Sequence, residues 1–481
     1  MKPGNAKLVG LGLAGLLLFS SGCMVGPKYQ RPSVPAPVAY GEAPPEGWKE
    51  AQPTDGVIRG KWWEAYQDSE LNTLEDQVNI SNQNVLAGEA QYRAAQAAVR
   101  AARADLFPAI GAGASVTASR TPPALSTAAT TARAGAHAVY SIPLEISYAP
   151  DVWGGIRRTV AADTAVAQAS AAQLENVRLL YHAELAADYF QLRGADNDGK
   201  LLDDSVKSYE QFLQLTKNRY DSGLASMGDV EQAQTQLETT RAQLKDLGVL
   251  RTQLEHAIAV LTGRPPAGFA IPPAPLQSVP PVIPVGVPST LLERRPDIAA
   301  EERQVAAANE RIGVARAALY PAITLTAGGG SETASLLKLF TGPSYLWSIG
   351  GQLAQTLFDK GKRQAQISLT QATYDGTVAG YRQTVLTAFQ QVEDNLAALR
   401  VLAEEATIQD RAVAAAGESL KISTAQYQGG IASYLQVITS QTIAQQDQRA
   451  AVDIQTRRMV ASVALIQALG GGWDISKLPP G

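Results

Sequence analysis

Charged, aromatic, cysteine and histidine side chains are all scarce in this chain of 481 residues. Lys, Arg, Asp and Glu make up 18% of it, against about 25% in a typical soluble domain. Three His and one Cys are too few for a multi-ligand Cys/His metal site and exclude an internal disulfide. The net charge of −4 lacks the basic excess of a nucleic-acid-binding protein, so no nucleic-acid partner is expected.

The first residues have the pattern of an export signal. Lys2 and Lys7 precede an apolar run over residues 8–19. That run is too short to cross a bilayer, for which about 20 apolar residues are needed. We therefore predict that residues 1–22 are a cleaved signal peptide.

The residue that follows this signal is the only cysteine, Cys23. With Ser20-Ser21-Gly22 before it, Cys23 resembles the modified cysteine of a bacterial lipobox. The resemblance implies a diacylglycerol on its thiol and an acyl chain such as palmitate on its amine, and no other cofactor. Such chains add about 0.8 kcal/mol of membrane affinity per buried CH₂, so residues 23–66, rich in proline, would be a lipid-anchored tether. The alternative is an ordinary free or buried cysteine.

The rest of the chain repeats itself. Residues 102–110 (ARADLFPAI) recur at 315–323 (ARAALYPAI), and residues 220–226 (YDSGLAS) recur at 427–433 (YQGGIAS). The two offsets are nearly equal, which indicates an internal two-fold repeat of a large module. The predicted divisions are a first repeat over 67–262, a proline-rich equatorial linker over 263–290, a second repeat over 291–469 and a C-terminal tail over 470–481.

Each repeat contains two segments in which apolar and polar residues alternate, as they do in half-buried strands. The segments are 110–119 and 140–148, within a strand pair over 108–150, and 323–327 and 345–353, within a strand pair over 321–358. Tyr or Trp near the strand ends is typical of transmembrane β-strands. The alternative is a small soluble hairpin, which Pro143 favours. Because the smallest barrel has about eight strands, four strands in lipid would require several chains to share one barrel.

The scarcity of charge is concentrated in these strand pairs. Residues 107–156 and 319–358 together contain six charged side chains in 90 positions. The six are Arg120, Arg133, Glu145, Asp151, Glu332 and Lys338. Such a local deficit is expected of segments that cross lipid.

Long proline-free segments follow each strand pair and predict helices of about 95–100 Å at 1.5 Å per residue. The long helices are predicted at 157–220 and 361–427, the returning helices at 229–262 and 434–469, and shorter helices at 71–106 and 297–319. Each returning helix is about half as long as the helix before it, so two helices end to end should cover one long helix. We expect 229–262 to stack with 297–319, and 434–469 to stack with 71–106.

The first returning helix also carries a coiled-coil seam, in which residues recur at alternating steps of three and four. The seam consists of Val230, Ala233, Leu237, Thr240, Leu244, Leu247, Arg251, Leu254, Ile258 and Leu261. Eight of these ten residues are apolar, so this face should be buried against another helix.

Several short segments carry a family resemblance: residues 23–29 (CMVGPKY), 61–66 (KWWEAY), 291–297 (LLERRPD) and the two YxxG segments at 220 and 427. Together they resemble the TolC-type outer-membrane efflux channels, in the lipoprotein (NodT-like) branch of the outer membrane factor family. The resemblance implies a mixed fold, with four transmembrane β-strands per chain and a long α-helical coiled-coil barrel. A homotrimer would then form a twelve-stranded β-barrel in the outer membrane of a Gram-negative bacterium and a twelve-helix tunnel in the periplasm. The implied partners are outer-membrane lipid, a periplasmic membrane-fusion adaptor and an inner-membrane pump of the resistance–nodulation–division type.

The two YxxG segments are the candidate functional site. By the same resemblance they form the periplasmic aperture, with Tyr220, Gly223, Ser226, Asp229, Tyr427, Gly430, Ser433, Gln436 and Thr439. Ser226 with Asp229, and Ser433 with Gln436, also have the spacing of helix capping boxes, so Asp229 either caps a helix or holds the aperture shut. Gln436 and Thr439 stand where family members often carry constricting aspartates.

No catalytic constellation, nucleotide-binding motif or metal-ligand spacing is present in the sequence, so we expect no enzyme. The predicted function is passive conduction of small amphiphilic compounds from periplasm to exterior in a tripartite efflux system. Two alternatives remain open: a type I protein-secretion duct, and a lipid-anchored periplasmic coiled-coil scaffold.

Overall fold

The structure, a computed structural model, is mostly helical with one small antiparallel sheet. It describes residues 24–34, 36–37, 39–42, 60–120, 137–276, 279–283, 291–473, 476 and 478–479. In this part of the chain, no helix is both long and apolar enough to cross a membrane.

The described α-helices match in length between the two halves of the chain. They are α1 (Ser69–Ser81), α2 (Gln83–Ala104), α3 (Gly155–Asp221), α4 (Met227–Leu261), α5 (Leu291–Arg294), α6 (Pro296–Ala317), α7 (Lys362–Gln428) and α8 (Tyr434–Ala468). Helices α3 and α7 have 67 residues each, or about 100 Å. Helices α4 and α8 have 35 each, and α2 and α6 have 22 each. The predicted long, returning and pre-strand helices of the second half are confirmed.

The single helix predicted over 71–106 is wrong, because Asn82 divides it into α1 and α2. Asn82 has an extended backbone, and its Oδ1 accepts hydrogen bonds from the backbone N–H groups of Asn84 and Val85 at 2.9 and 3.2 Å. These bonds satisfy N–H groups that the first turn of a helix leaves unpaired. A buried asparagine with this role is hard to distinguish, in the sequence alone, from a polar residue on a helix surface.

The helices stack end to end in pairs other than those predicted. The end of α4 meets the start of α2, since Asn82 Nδ2 donates to Leu261 O at 2.9 Å. The end of α8 meets the start of α6, since Arg295 Nη1 donates to Ala468 O at 3.0 Å.

Each stacked pair therefore forms within one half of the chain. Helices α2 and α4 both pack along α3, to which they are joined by the strands at one end and by a tight turn at the other. The prediction paired helices that follow one another along the chain on either side of the proline-rich linker. The direct connections at both ends of α3 instead bring α2 and α4 together.

Among the described residues the sheet contains five strands where four were predicted, because the first predicted strand is divided into two that both pair with the next strand along the chain. They are β1 (Ala109–Ala112), β2 (Ser115–Ser119), β3 (His137–Tyr148), β4 (Ala322–Thr333) and β5 (Tyr345–Ala354). Strands β1 and β2 both pair with β3, which pairs with β4, which pairs with β5. The break between β1 and β2 lies opposite Pro143, which accepts a bond from Gly113 N–H at 3.0 Å but has no N–H to return. On the other side Gly330 pairs with Pro143, and a Cβ at Gly330 would collide with the backbone there.

The strand register gives the sheet one apolar and one polar face, which confirms the predicted alternation. Paired residues share a face, so the apolar face carries Ile110, Val116, Tyr140, Ile142, Leu144, Ile146, Tyr148, Leu325, Tyr345, Trp347, Ile349 and Leu353. The opposite face carries mainly Ser, Thr and Gly, together with Glu145 and Glu332. Every residue of β5 is exposed, so this edge strand and its apolar face have no cover within one chain.

A hydrophobic core lies where the stacked helices meet. A 3₁₀ turn, Trp62–Tyr66, buries both of its tryptophans there with residues of α1, α3 and α8. The predicted seam of α4 is also confirmed: seven of its ten residues are buried, and Leu244, Leu247 and Arg251 are half-buried.

A buried acid–base pair joins α1 to α3 in this core. Glu75 Oε2 lies 2.6 Å from His182 Nδ1, and the Trp63 ring stacks on the imidazole with 4.3 Å between the ring centroids. Burial raises the pKa of Glu75 well above 4.5 and lowers the pKa of His182 from 6.5 to about 4. Between these two pKa values both groups are uncharged, and the pair then holds one proton, which the Glu75 carboxylic acid can donate to the imidazole.

This shared proton predicts an unusual dependence of stability on pH. Between about pH 4.5 and 6.5 the unfolded pair also holds one proton. The effects of Glu75 and His182 on the pH dependence of stability therefore cancel in this range. Above pH 6.5 the unfolded pair holds none, and stability falls by about 1.4 kcal/mol per pH unit until Glu75 ionises in the folded state.

We expect Glu75→Gln, which keeps the shape and the donor of the neutral acid, to remove this loss. The melting temperature in detergent should be similar to that of the parent at pH 6 and higher than it at pH 8. An equal difference at both pH values would contradict the assignment of a neutral Glu75.

Candidate functional site: the tips of two helical hairpins

The first hairpin tip joins α3 to α4 through a glycine turn and a capping box. Gly223 has φ +73°, and its N–H donates to Tyr220 O at 2.8 Å, which closes the end of α3. Ser226 Oγ accepts from Asp229 N–H at 3.1 Å, and the Asp229 carboxylate accepts from Ser226 N–H at 2.9 Å. The capping box predicted for Ser226 and Asp229 is therefore present. Tyr220 is exposed.

The second tip, which joins α7 to α8, has the same turn without the capping box. Gly430 has φ +75°, and its N–H donates to Tyr427 O at 3.0 Å. Ser433 stands at the N-cap but makes no side-chain cap bond, so the capping box predicted there is wrong. Gln436 points elsewhere, because its Nε2 donates to Gln426 Oε1 at 3.4 Å. Thr439 is exposed and bonds only within its own helix, to Leu435 O.

A cation–π contact connects the two tips. The Arg219 guanidinium, in the last turn of α3, lies 4.8 Å from the centroid of the Tyr427 ring. Its Nη1 also donates to Gln428 O at 3.3 Å. Contacts of these kinds contribute about 1–2 kcal/mol when partly desolvated. Arg219 therefore fastens the end of α3 to the end of α7.

Tyr427 is buried between the hairpins, unlike its counterpart Tyr220. Its ring centroid lies 5.4 Å from that of Tyr434 in α8, and both rings are 3% exposed. Burial raises the pKa of Tyr434, and neighbouring Tyr427, Tyr209 and Asp229 raise it further. Asp229 thus lies near the second hairpin, but its described hydrogen bonds are those of the capping box.

Of the predicted site residues, the structure brings Ser226 and Asp229 together in a capping box and buries Tyr427 against Tyr434, and it leaves Tyr220, Gln436 and Thr439 exposed. Cys23 lies outside the described residues. Sequence reasoning missed Arg219 and Tyr434. The signal for Arg219 was a difference between the repeats, because Gln426 occupies the corresponding position of the second one.

Comparison with known proteins identifies the family to which a chain with these hairpins belongs. A family model described as outer membrane efflux protein matches residues 74–264 and 287–471, which include both hairpins and the sheet. The chain belongs to the outer membrane efflux protein family. This is a family of transport proteins, not an enzyme family.

Individual members of the outer membrane efflux protein family match nearly the whole chain. Outer membrane protein OprJ of Pseudomonas aeruginosa is 32% identical over 96% of this chain and 96% of its own. The probable efflux pump outer membrane protein TtgC of Pseudomonas putida is 31% identical over 96% of this chain and 95% of its own. A solved structure of the outer-membrane channel OprN is 26% identical and covers 94% of this chain and 100% of its own, with a TM-score of 0.83.

The difference between the two caps predicts unequal effects of the same substitution. Ser226→Ala removes a hydrogen bond to Asp229 N–H and should destabilise the tip by about 1 kcal/mol. Ser433→Ala removes no such bond and should have a much smaller effect. Hydrogen exchange of the first turns of α4 and α8 measures both, and equal changes would contradict the assigned caps.

The connection through Arg219 predicts that the hairpins separate when it is lost. Arg219→Ala should raise the spontaneous conductance of the protein in planar bilayers, because the ends of α3 and α7 are no longer fastened. Gln426→Ala, at the corresponding position of the second hairpin, is the matched control and should leave conductance unchanged. An Arg219→Ala protein with parental conductance would show that this contact does not hold the tips together.

Proposed function

We propose that the chain forms a homotrimeric outer-membrane channel of a tripartite efflux system. The channel passively conducts small amphiphilic compounds from the periplasm to the exterior of a Gram-negative bacterium. An inner-membrane pump of the resistance–nodulation–division type drives this export through a periplasmic membrane-fusion adaptor. The observation that carries the proposal is the sheet, which has one apolar face, one polar face and, among the described strands, two edges without a partner strand.

The unpaired edges are the argument for several chains. In hydrocarbon an open sheet edge leaves backbone N–H and C=O groups without partners, at several kcal/mol each. Strand β5 at one edge and strands β1 and β2 at the other are free to pair with the opposite edges of neighbouring chains. Three chains then close one barrel, with the apolar faces toward lipid and the polar faces toward water.

The helices supply the periplasmic part of the proposed channel. Helices α3 and α7 begin next to the sheet and end at the hairpin tips, about 100 Å away, so the tips project far from the membrane. Equal helix lengths in the two halves support an internal duplication, through which each chain contributes two similar hairpins to one helical tunnel.

The N-terminal segment supports lipidation of Cys23. Val25 N–H donates to Trp153 O at 3.3 Å, and Met24 packs against Gly154. These contacts lie at the junction between β3 and α3, which is the level of the inner surface of the membrane in the proposed orientation. Acyl chains on Cys23, the residue before Met24, would therefore be close to the adjacent leaflet.

The relatives favour small molecules over proteins as the transported substrate. TtgC is named as the outer membrane protein of a probable efflux pump, and it matches 96% of this chain. The protein-secretion duct and the periplasmic scaffold are therefore outcomes that the following experiment tests against the proposal.

A Cys23→Ser variant with a lipid-independent signal peptide distinguishes a channel from a scaffold. If the sheet crosses lipid, we expect the variant to remain in outer-membrane fractions as a heat-modifiable trimer, because the barrel holds it there. The parent and the variant should both restore resistance to amphiphilic dyes in a strain that lacks its own efflux channel of this family. Recovery of the variant as a soluble monomer would support the scaffold, and restored protein secretion without dye efflux would support the secretion duct.

A further inference from the structure

The only Asp, Glu, Lys or Arg side chains in the five described strands are acidic and share one face. Glu145 lies in β3 and Glu332 in β4, both on the polar face of the sheet. None of the five strands contains Lys or Arg. The described strands therefore put a negative charge on the polar face and contain no Lys or Arg to neutralise it.

Glu145 is also the one large side chain in its row across the sheet. Its partners in the neighbouring strands are Gly111 in β1 and Gly328 in β4, and Gly328 pairs with Ser348 in β5. The row therefore consists of Gly, Glu, Gly and Ser. Because glycine has no side chain, only the small Ser348 side chain accompanies that of Glu145. The Glu145 carboxylate is exposed, and no neighbour in the row covers it or offers it a cation.

From this arrangement we propose that Glu145 sets the charge selectivity of the channel in its membrane-spanning part and favours cationic over anionic substrates. The inference rests on the proposed function, since it requires the polar faces of three sheets to surround one lumen. Three copies of the row then place three carboxylates at one level of the barrel. Between them, the inner surface of the barrel carries few side chains.

The dimensions of such a barrel make three charges sufficient. Twelve strands spaced about 4.8 Å apart and tilted by about 40° form a wall with a radius of roughly 12 Å. The carboxylates project inward from that wall, so they act on the axis over a distance similar to the Debye length of about 8 Å at 0.15 M salt. At 1 M salt the Debye length falls to about 3 Å, and the selectivity should fall with it.

Glu332 forms a second and weaker row. It pairs with Ser141, which is four residues before Glu145 in β3, and this separation is about 13 Å along the strand. Basic residues follow in the loops, Arg120 after β2 and Lys338 between β4 and β5, and we expect them to reduce the field that Glu332 creates. Glu145 therefore has the larger effect.

The test is the reversal potential of the purified protein in planar bilayers under a KCl gradient. We expect the parent to be cation-selective and Glu145→Gln to lower the ratio of K⁺ to Cl⁻ permeability by about two-fold or more at 0.1 M salt. Glu145→Asp keeps the charge and should keep most of the selectivity. Glu332→Gln should lower the ratio less than Glu145→Gln does.

The outcomes separate this inference from the proposed function. Absence of conductance for the parent and all variants would overturn the proposed function, since no shared lumen would exist. Conductance in which Glu145→Gln has the parental permeability ratio, or a parent that prefers Cl⁻, would overturn the role of Glu145 and leave the channel intact.

Discussion

The long helix α3 extends for about 100 Å, and each helix that packs along it is too short to cover that length. Much of the structure depends on how shorter helices are joined end to end to cover α3. Two helix ends consequently meet midway, inside the protein, where their terminal N–H and C=O groups have little access to water. Asn82 and Arg295 resolve this, one at each junction, by bonding to the last carbonyls of α4 and α8. Four helix ends and the 3₁₀ turn at Trp62 are packed in the hydrophobic core at this level.

The regular parts of the fold could be predicted from the sequence, because their periodicity extends over many residues. A helix of 67 residues without proline or a strand with strict alternation leaves few other solutions. The junctions could not be predicted in this way. Asn82 looks like any surface asparagine until Leu261 O is known to lie next to it, and the pairing of α4 with α2 depends on a contact between residues 179 positions apart.

The hairpin tips show a similar limit. The glycine turns and the cap at Ser226 are local and could be predicted from five or six residues. The burial of Tyr427 could not, because Tyr220 and Tyr427 are equivalent in the repeat and differ only in what the other hairpin brings to them. The two hairpins have similar local sequences, and the packing of one against the other makes their structures different.

The junction between α4 and α2 also has a mechanical consequence. Helix α4 extends 35 residues from this junction to its tip, or about 52 Å, and its backbone is not continuous with that of α2. A tilt of only one degree at the junction therefore displaces the tip by about 1 Å. Helix α3, which packs along α4, is continuous past this level, so the bending stiffness of α3 limits how far the hairpin end moves under a force applied at mid-length.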